Sequence, residues 1–335
     1  MVAPGSQVLT NIQLAKETVL GTAVARTRRF YGVSTGNFDA GYIWQTHEAE
    51  NRGVKVRSPR STLIRQEPKL KLADTDGIAF DDLVLPFYMG LQGGISPSAA
   101  GAAITYAYAP VITSASNAYA SACADIGDDV QNYTLAGLIN TGWELSAAAG
   151  EVTKFSADLI GMTTVKGAAT SLSNITPEYI TGSKWTIAHG SSWANLAAAS
   201  TVTTFLKSFS LKYNPGVTPL FYLDGTASFG QLYEGDISGT LDLEFDSTST
   251  AVSAYYDKMV AQTPVWIKLM NTGAALGGSN YSCTIKLYGY VTDVKVISGA
   301  EDGVNHYTAT VALDYDSAGT HHLTCDLVCS LVACP

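Results

Sequence analysis

Charge is scarce in this chain. Asp, Glu, Lys and Arg together make up 15% of its 335 residues, against 46% hydrophobic ones, and acids outnumber bases to leave a net charge of −9. So little charge suits a chain that buries much of its surface, internally or against neighbours. An acidic balance argues against a general binder of nucleic acid, because affinity for phosphate comes from Lys and Arg. Cysteine is sparse and odd in number, at Cys123, Cys283, Cys325, Cys329 and Cys334. Such an uneven set does not read as the disulfide framework of a small secreted domain. No apolar run approaches the roughly 20 residues that a membrane-crossing helix needs. The first residues, MVAPGSQVLTNIQLAKE, lack the basic stretch and apolar core of a secretory signal. The expectation is synthesis in a cytoplasm and no membrane partner.

Catalytic signatures are missing as well. There is no Gly-x-Ser-x-Gly elbow. The glycine-rich QGGISPSAAGAA lacks the Gly-Lys-Ser/Thr ending of a phosphate loop, and the five histidines have no obvious Ser or Cys partner. His321, His322, Cys325, Cys329 and Cys334 suggest zinc, but structural zinc sites favour paired ligands two to four residues apart in two separated groups. The plainer reading is an ordinary or partly disordered tail, with inter-subunit disulfides as the alternative. The expectation is no enzyme, no cofactor and no metal.

What is present is β-pattern. Eighteen Tyr, 31 Gly and abundant Thr favour a β-rich class. In YTLAGLINTGWELSAAAGEVTKFSADLIGMTTV (133–165), Tyr133, Leu135, Ile139, Trp143 and Leu145 alternate with Thr134, Ala136, Asn140, Glu144 and Ser146. After a small-residue turn at Gly150, Phe155, Ala157 and Leu159 resume the alternation. A period of two predicts a long antiparallel hairpin with one buried face. The unit returns at 281–316, where Cys283, Ile285 and Leu287 give way near Gly289 to Tyr290, Val294 and Val296. A glycine at such a phase change predicts a bulge.

The order of elements also returns. In the first half a strand near 28–38 is followed by a charged loop (41–60), a strand (63–72), a helix (78–90) with a suspect Pro86, a short strand (104–108) and the hairpin. In the second half the same order runs through 205–214, 215–235, 237–246, a helix at 247–262, 265–270 and the second hairpin. This predicts a tandem duplication: residues 1–165 with a loosely patterned arm (1–15), a linker (166–203), a second domain (204–316) and an appended tail (317–335).

Two stretches carry a family resemblance. Lys16, Glu17, Thr18, Gly21, Thr22, Ala23 and Val24 resemble the opening Lys-Glu-Thr/Ser-x-x-Gly-Thr-Ala-Val motif of major tail tube proteins of long-tailed, siphovirus-like bacteriophages. Gly150, Glu151, Val152, Thr153, Ala157, Asp158 and Gly161 resemble that family's hairpin. The resemblance implies a mainly β chain of tandem tail-tube β-sandwich or partial-barrel domains, each with a flanking α-helix. It implies a structural virion protein, assembled in the bacterial host cytoplasm, whose rings stack into a hollow tube that conducts DNA during ejection. With two tube domains per chain, rings would be trimeric and pseudo-hexameric. Partners would be the chain itself, the tape measure, tail terminator and distal tail proteins, and double-stranded DNA in transit.

Two sets of residues have candidate roles in that setting. A wall without excess Lys and Arg lets DNA slide, so Glu144, Asp158 and Asp314 are candidate lumen-facing acids; the plainer reading is solvent-facing strand residues. Arg52, Lys55, Arg57 and Arg60, with Arg65, form the densest basic cluster. They are candidates for an inter-ring stacking loop that meets Glu234, Asp236, Asp242 and Glu244 of an adjacent ring; the plainer reading is a solvated loop. The alternative from another class is a carbohydrate- or receptor-binding β-sandwich, an adhesin or tail-tip module.

Overall fold

A computed structural model describes residues 10–31, 33–34, 38–47, 60–74, 77–91, 97–110, 112, 120–199, 201–202, 206–246, 248–301 and 304–335. In chain order its elements begin with β1 (Asn11–Lys16), β2 (Arg28–Arg29), β3 (Val33–Ser34), β4 (Phe38–Asp39), β5 (Tyr42–His47), β6 (Arg60–Gln66) and β7 (Lys69–Asp74). They continue with α1 (Val84–Leu91), β8 (Ser98–Ala100), β9 (Ala103–Tyr108), β10 (Ala122–Gly127), β11 (Asn132–Ala148), β12 (Lys154–Ile160) and β13 (Thr163–Gly167). Next come β14 (Trp185–Gly190), β15 (Thr201–Val202), β16 (Leu206–Asn214), β17 (Val217–Leu220), β18 (Gln231–Glu234) and β19 (Ser238–Asp246). The series ends with α2 (Ser249–Val260), β20 (Val265–Leu276), β21 (Ser279–Glu301), β22 (Val304–Leu313) and β23 (Leu323–Cys329). The chain is mainly β, as its composition and alternation predict, and every strand pairing is antiparallel.

The two long strands β11 and β21 organise the fold, because each belongs to two ladders. The first part of β11 pairs with β10 and β13, and the rest pairs with β12. The change of partner falls at Gly137, whose φ of 68° is costly for any residue with a Cβ. The first part of β21 lies between β20 and β23. From Gly289 onward it pairs with β22, and a Cβ there would lie 2.1 Å from the Ala312 carbonyl oxygen. The phase change read at Gly289 is therefore the transfer of β21 from one ladder to another. The register shifts themselves come just after it, at Val291/Asp293 and Lys295/Gly299.

One ladder runs without a break through β3 and β4 (both on the same edge of β7), β7, β12, β11, β16, β19, β22 and the second part of β21. Two further ladders back it: β2–β1–β10–β11–β13, and β15–β14–β20–β21–β23–β9–β8. Between the layers a contiguous core takes Leu72, Trp143, Leu145, Phe155, Phe209, Leu211, Leu241, Leu243 and Tyr307 from the unbroken ladder. The backing ladders and α1 supply Leu14, Leu135, Ile267, Ile285, Leu327 and Phe87. Burying each such side chain stabilises the fold by roughly 1.5–3 kcal/mol.

Helix α1 is enclosed by this core. Pro86 is its third residue, where the N–H has no partner within the helix in any case, so no kink follows. A 3-10 turn, Asp81–Leu83, precedes it in place of the first turn of the helix expected over 78–90. Helix α2 occupies most of the expected span and buries Tyr255 against Phe245 and His189.

Several segments read as peripheral are structural. Of the expected arm, residues 1–9 lie outside the described residues, while Asn11–Lys16 is a buried strand on β10. The expected linker carries β14, which extends the ladder of β20, and buries Trp185 edge-on against Phe209. The expected appendage at 317–335 supplies β23, inserted between β21 and β9. Leu323, Cys325, Leu327 and Cys329 alternate inward in it, so the period of two was present in LTCDLVC. All five cysteines are free thiols, and the four other than Cys334 are buried. The strand at 104–108, matched above to 265–270, pairs with β23, and it is β10 that pairs with the first hairpin.

Candidate assembly surface

The side of the unbroken ladder away from the core is made of short polar side chains. Along the second part of β11, from Trp143, and along β16 and β19, buried residues alternate with open ones, which leaves Glu144, Ser146, Ser208, Ser210, Lys212, Thr240, Asp242 and Glu244 on the open face. The registers set these residues in rows. One row runs Ser156, Glu144, Lys212, Thr240 and Ala312, and the next runs Lys154, Ser146, Ser210, Asp242, Thr310 and Asp293.

Within the rows, hydroxyls and cations occupy the carboxylates. Ser210 Oγ donates to Glu144 Oε1 at 2.7 Å, Ser208 Oγ to Glu244 Oε2 at 2.8 Å, and Thr310 Oγ1 to Asp242 Oδ1 at 2.7 Å. His306 Nδ1 lies 3.1 Å from Glu244 Oε1, and Lys71 Nζ lies 3.7 Å from Asp158 Oδ1. The described cations here include Lys71, Lys154, Lys212 and Lys295, interspersed with Glu144, Asp158, Asp242, Glu244 and Asp293. No arginine follows Arg65 in the chain. The face thus mixes both signs, where sequence reading singled out only its acids. The lysines were legible in the same alternation, in FLKSFSLKYN for example.

Of the three expected acids, Glu144 and Asp158 lie on this face. Asp314 follows the end of β22 and lines a cleft with Glu234, Asp236 and His322. Burial against Tyr213, whose hydroxyl is 2.8 Å from its Nε2, lowers the His322 pKa to about 4. Arg52, Lys55 and Arg57 lie outside the described residues, and Arg60 opens β6 with only its backbone described. Among the described residues there is no group of three or more His, Cys, Asp or Glu that could hold a metal ion. Among the described residues no helix is long and apolar enough to cross a membrane.

The ladder has a seam within the chain and an edge at each end. At the seam, the second part of β11 meets β16 with Trp143 opposite Tyr213, Glu144 opposite Lys212 and Leu145 opposite Leu211. The hairpin β17–β18 closes over the same junction. Gln66 N donates to Ala227 O at 2.7 Å, the Arg65 guanidinium sits 4.8 Å from the Phe221 ring centre, and Phe229 is fully buried beside Ile139 and Met162. The edges are β4 and the second part of β21; among the described residues neither pairs further on its outer side. The hairpin β5–β6, next to β4, exposes Tyr42, Ile43, Trp44 and Ile64.

The motif that carried the resemblance has a structural job. Glu17 is buried, and its carboxylate accepts from Gly21 N at 2.9 Å, Ser121 Oγ at 2.8 Å and Gly137 N at 2.8 Å. Burial raises its pKa against these donors. One side chain thus joins the loop after β1, the start of β10 and the pivot of β11. Beside it Arg26 pairs with Asp125 at 2.7 Å, and Arg28 pairs with Asp82 at 2.8 Å, all four side chains buried.

A search of curated proteins returns no match. A family model described as phage tail tube protein matches residues 8–312, a span that includes the Glu17 loop, the unbroken ladder and both long hairpins. The chain belongs to the phage tail tube protein family and is, with that family, a structural component of the virion.

Proposed function

We infer that this chain is the repeating subunit of the tail tube, and that three copies close into a ring, stack, and enclose the channel through which DNA leaves the virion. The observation that carries this is the unbroken ladder, polar on one face and open at both edges. Open edges invite pairing with another chain, and closure into a barrel removes them. Eight strand positions per chain give about 24 in a ring of three. At roughly 4.8 Å per strand and a tilt near 40°, the barrel is about 45–50 Å across between backbones, wide enough for a duplex. A lining whose carboxylates already accept from Ser and Thr, and whose cations are dispersed lysines, offers phosphates little net attraction.

Tandem duplication belongs to the same reading. The counterparts are β7 and β19, α1 and α2, β10 and β20, β11 and β21, β12 and β22, and the hairpins β5–β6 and β17–β18. A matched detail supports the alignment. Thr141 and Thr292 stand at the register shifts of β11 and β21 and donate from Oγ1 to the carbonyls opposite, Asp158 O at 3.0 Å and Thr310 O at 3.2 Å. In this alignment residues 185–190 and 323–329 serve the second half. Loop 41–60, with Arg52, Lys55, Arg57 and Arg60, would reach the adjacent ring. Assembly would take place in the host cytoplasm, the tube ends would meet the tape measure, terminator and distal tail proteins, and the role is structural and non-catalytic.

Negative-stain microscopy of the purified protein tests this directly. Rings with threefold symmetry and pseudo-sixfold outline, or hollow tubes, are expected. A population of compact monomers at high concentration would reject the reading and favour a binding module.

A further inference from the structure

We propose that copies of this chain join through one defined seam, in which the second part of β21 pairs antiparallel with β4 of the next copy and Lys295 stands opposite that copy's Asp39. The proposal rests on the ring reading above and deepens it: the β11–β16 seam inside the chain serves as the template for the seam between chains.

The register follows from the pairings. Asp158 and Thr310 occupy equivalent places opposite the two shifts, so Glu144, opposite Ser156, corresponds to Lys295, opposite Thr308. On the other side, Lys71 lies opposite Asp158 and Asp242 opposite Thr310, which makes Lys69 equivalent to Thr240. Asp39 lies opposite Lys69 and Lys212 opposite Thr240, so Asp39 corresponds to Lys212. The internal pair Glu144–Lys212 therefore maps onto Lys295–Asp39 with the signs exchanged. Residues of opposite charge therefore face each other in register at the same point of both seams.

The neighbouring positions agree. Leu145 and Leu211, a buried pair, map onto Val296 and Phe38. Val296 is 42% exposed in the single chain, an apolar side chain directly after Lys295, where the regular pairing with β22 gives way to the irregular stretch before Gly299. Lys295 and Asp39 are both exposed, and among the described residues neither is ion-paired; Asp39 Oδ1 accepts only from Gly41 N, at 2.9 Å. The hairpins repeat the arrangement. β17–β18 of the second half buries Phe229 across the internal seam, and β5–β6 leaves Tyr42, Ile43, Trp44 and Ile64 exposed beside the open one. A second copy of this chain is the occupant that supplies the matching charge, the missing core contact and the cover for that hairpin.

Charge exchange tests the register. Asp39→Lys and Lys295→Asp each set like charges opposite one another at every seam, so the assembled fraction in sedimentation should fall by about tenfold. The double variant restores opposite charges and should return to within about twofold of the wild type. Singles that assemble like the wild type, or a double that stays as poor as the singles, overturn the seam. A second measurement does not depend on assembly yield. Directly opposed antiparallel residues have Cα atoms about 4.5–5.5 Å apart, within disulfide reach. The variant carrying Asp39→Cys and Lys295→Cys should form covalent dimers and trimers on oxidation, while Glu144→Cys with Lys212→Cys should close only within one chain. Wild-type rings with no such cross-link reject this register but leave the ring reading standing. Wild-type protein that forms no rings, together with a double-cysteine variant that forms no cross-link, rejects both.

Discussion

At the residue scale, the buried ionisable groups give the fold a signed dependence on pH. His189 lies 2.7 Å from the Tyr255 hydroxyl, and burial lowers its pKa to about 4, as it does for His322. The unfolded chain binds these protons near 6.5, so the stability contributed by the two neutral rings is fully present above that pH. It is lost as the pH falls toward 4. Asp82 works in the opposite direction. Burial raises its pKa to about 6 over the pull of Arg28, so its share is full below pH 4 and lost as the pH rises through 6. Chemical denaturation of unassembled protein between pH 7 and 4.5 separates the two. The variant with His189→Gln and His322→Gln should lose less stability on acidification than the wild type. A steeper or unchanged acid slope would count against buried neutral histidines. None of this was legible in the sequence, because neither His189 in TIAHG nor His322 in THHLT carries a local sign of the tyrosine that will face it.

At the element scale, the long strands illustrate what alternation conveys. The period of two located β11, β12, β21 and β22 and the faces they bury, since alternate Cβ atoms point to opposite sides of a strand. It did not reveal that β11 and β21 each serve two ladders, although the glycine near the change of partner was visible in β21. Gly289 is the sharper case, because the Ala312 carbonyl leaves no room for a Cβ there. Gly289→Ala should therefore destabilise the fold by about 1–3 kcal/mol or more, as overpacking against backbone does. Denaturation of the variant checks this. Gly150, whose Cβ would meet nothing within 4 Å, is the comparison for space alone, since its own φ of 83° still disfavours alanine. A Gly289 variant no weaker than the Gly150 variant would remove the close approach as the reason for the glycine.

At the scale of the whole molecule, β23 ties the halves together. It pairs on one side with β21 of the second half and on the other with β9, which lies between α1 and the first hairpin in sequence. Tyr106 Oη donates to Leu331 O at 2.9 Å, and Ser330 Oγ to Asp81 Oδ2 at 2.9 Å, so the last residues also close over α1 and its entry turn. Deleting residues 321–335 removes a buried strand and opens two edges at once. The truncated protein should be insoluble or should bind a hydrophobic dye strongly, whereas a dispensable tail would leave solubility and the cooperative unfolding transition unchanged.

The sequence by itself determined the class of the chain. Its alternation, small-residue turns and low charge require strands with one apolar face, and those signals are local, written within a few residues of one another. The Glu17 motif was likewise readable as a pattern, though its work as a buried acceptor for three donors was not. Only the tertiary structure decided which strands became neighbours. The cysteine-bearing tail is core, β14 belongs to a sheet and not to a linker, and Glu144 stands opposite Lys212 across a seam. Pairing depends on contacts between residues tens to hundreds of positions apart. An edge hydrogen-bonds equally well to any strand of matching phase, so the choice falls to the packing of the whole.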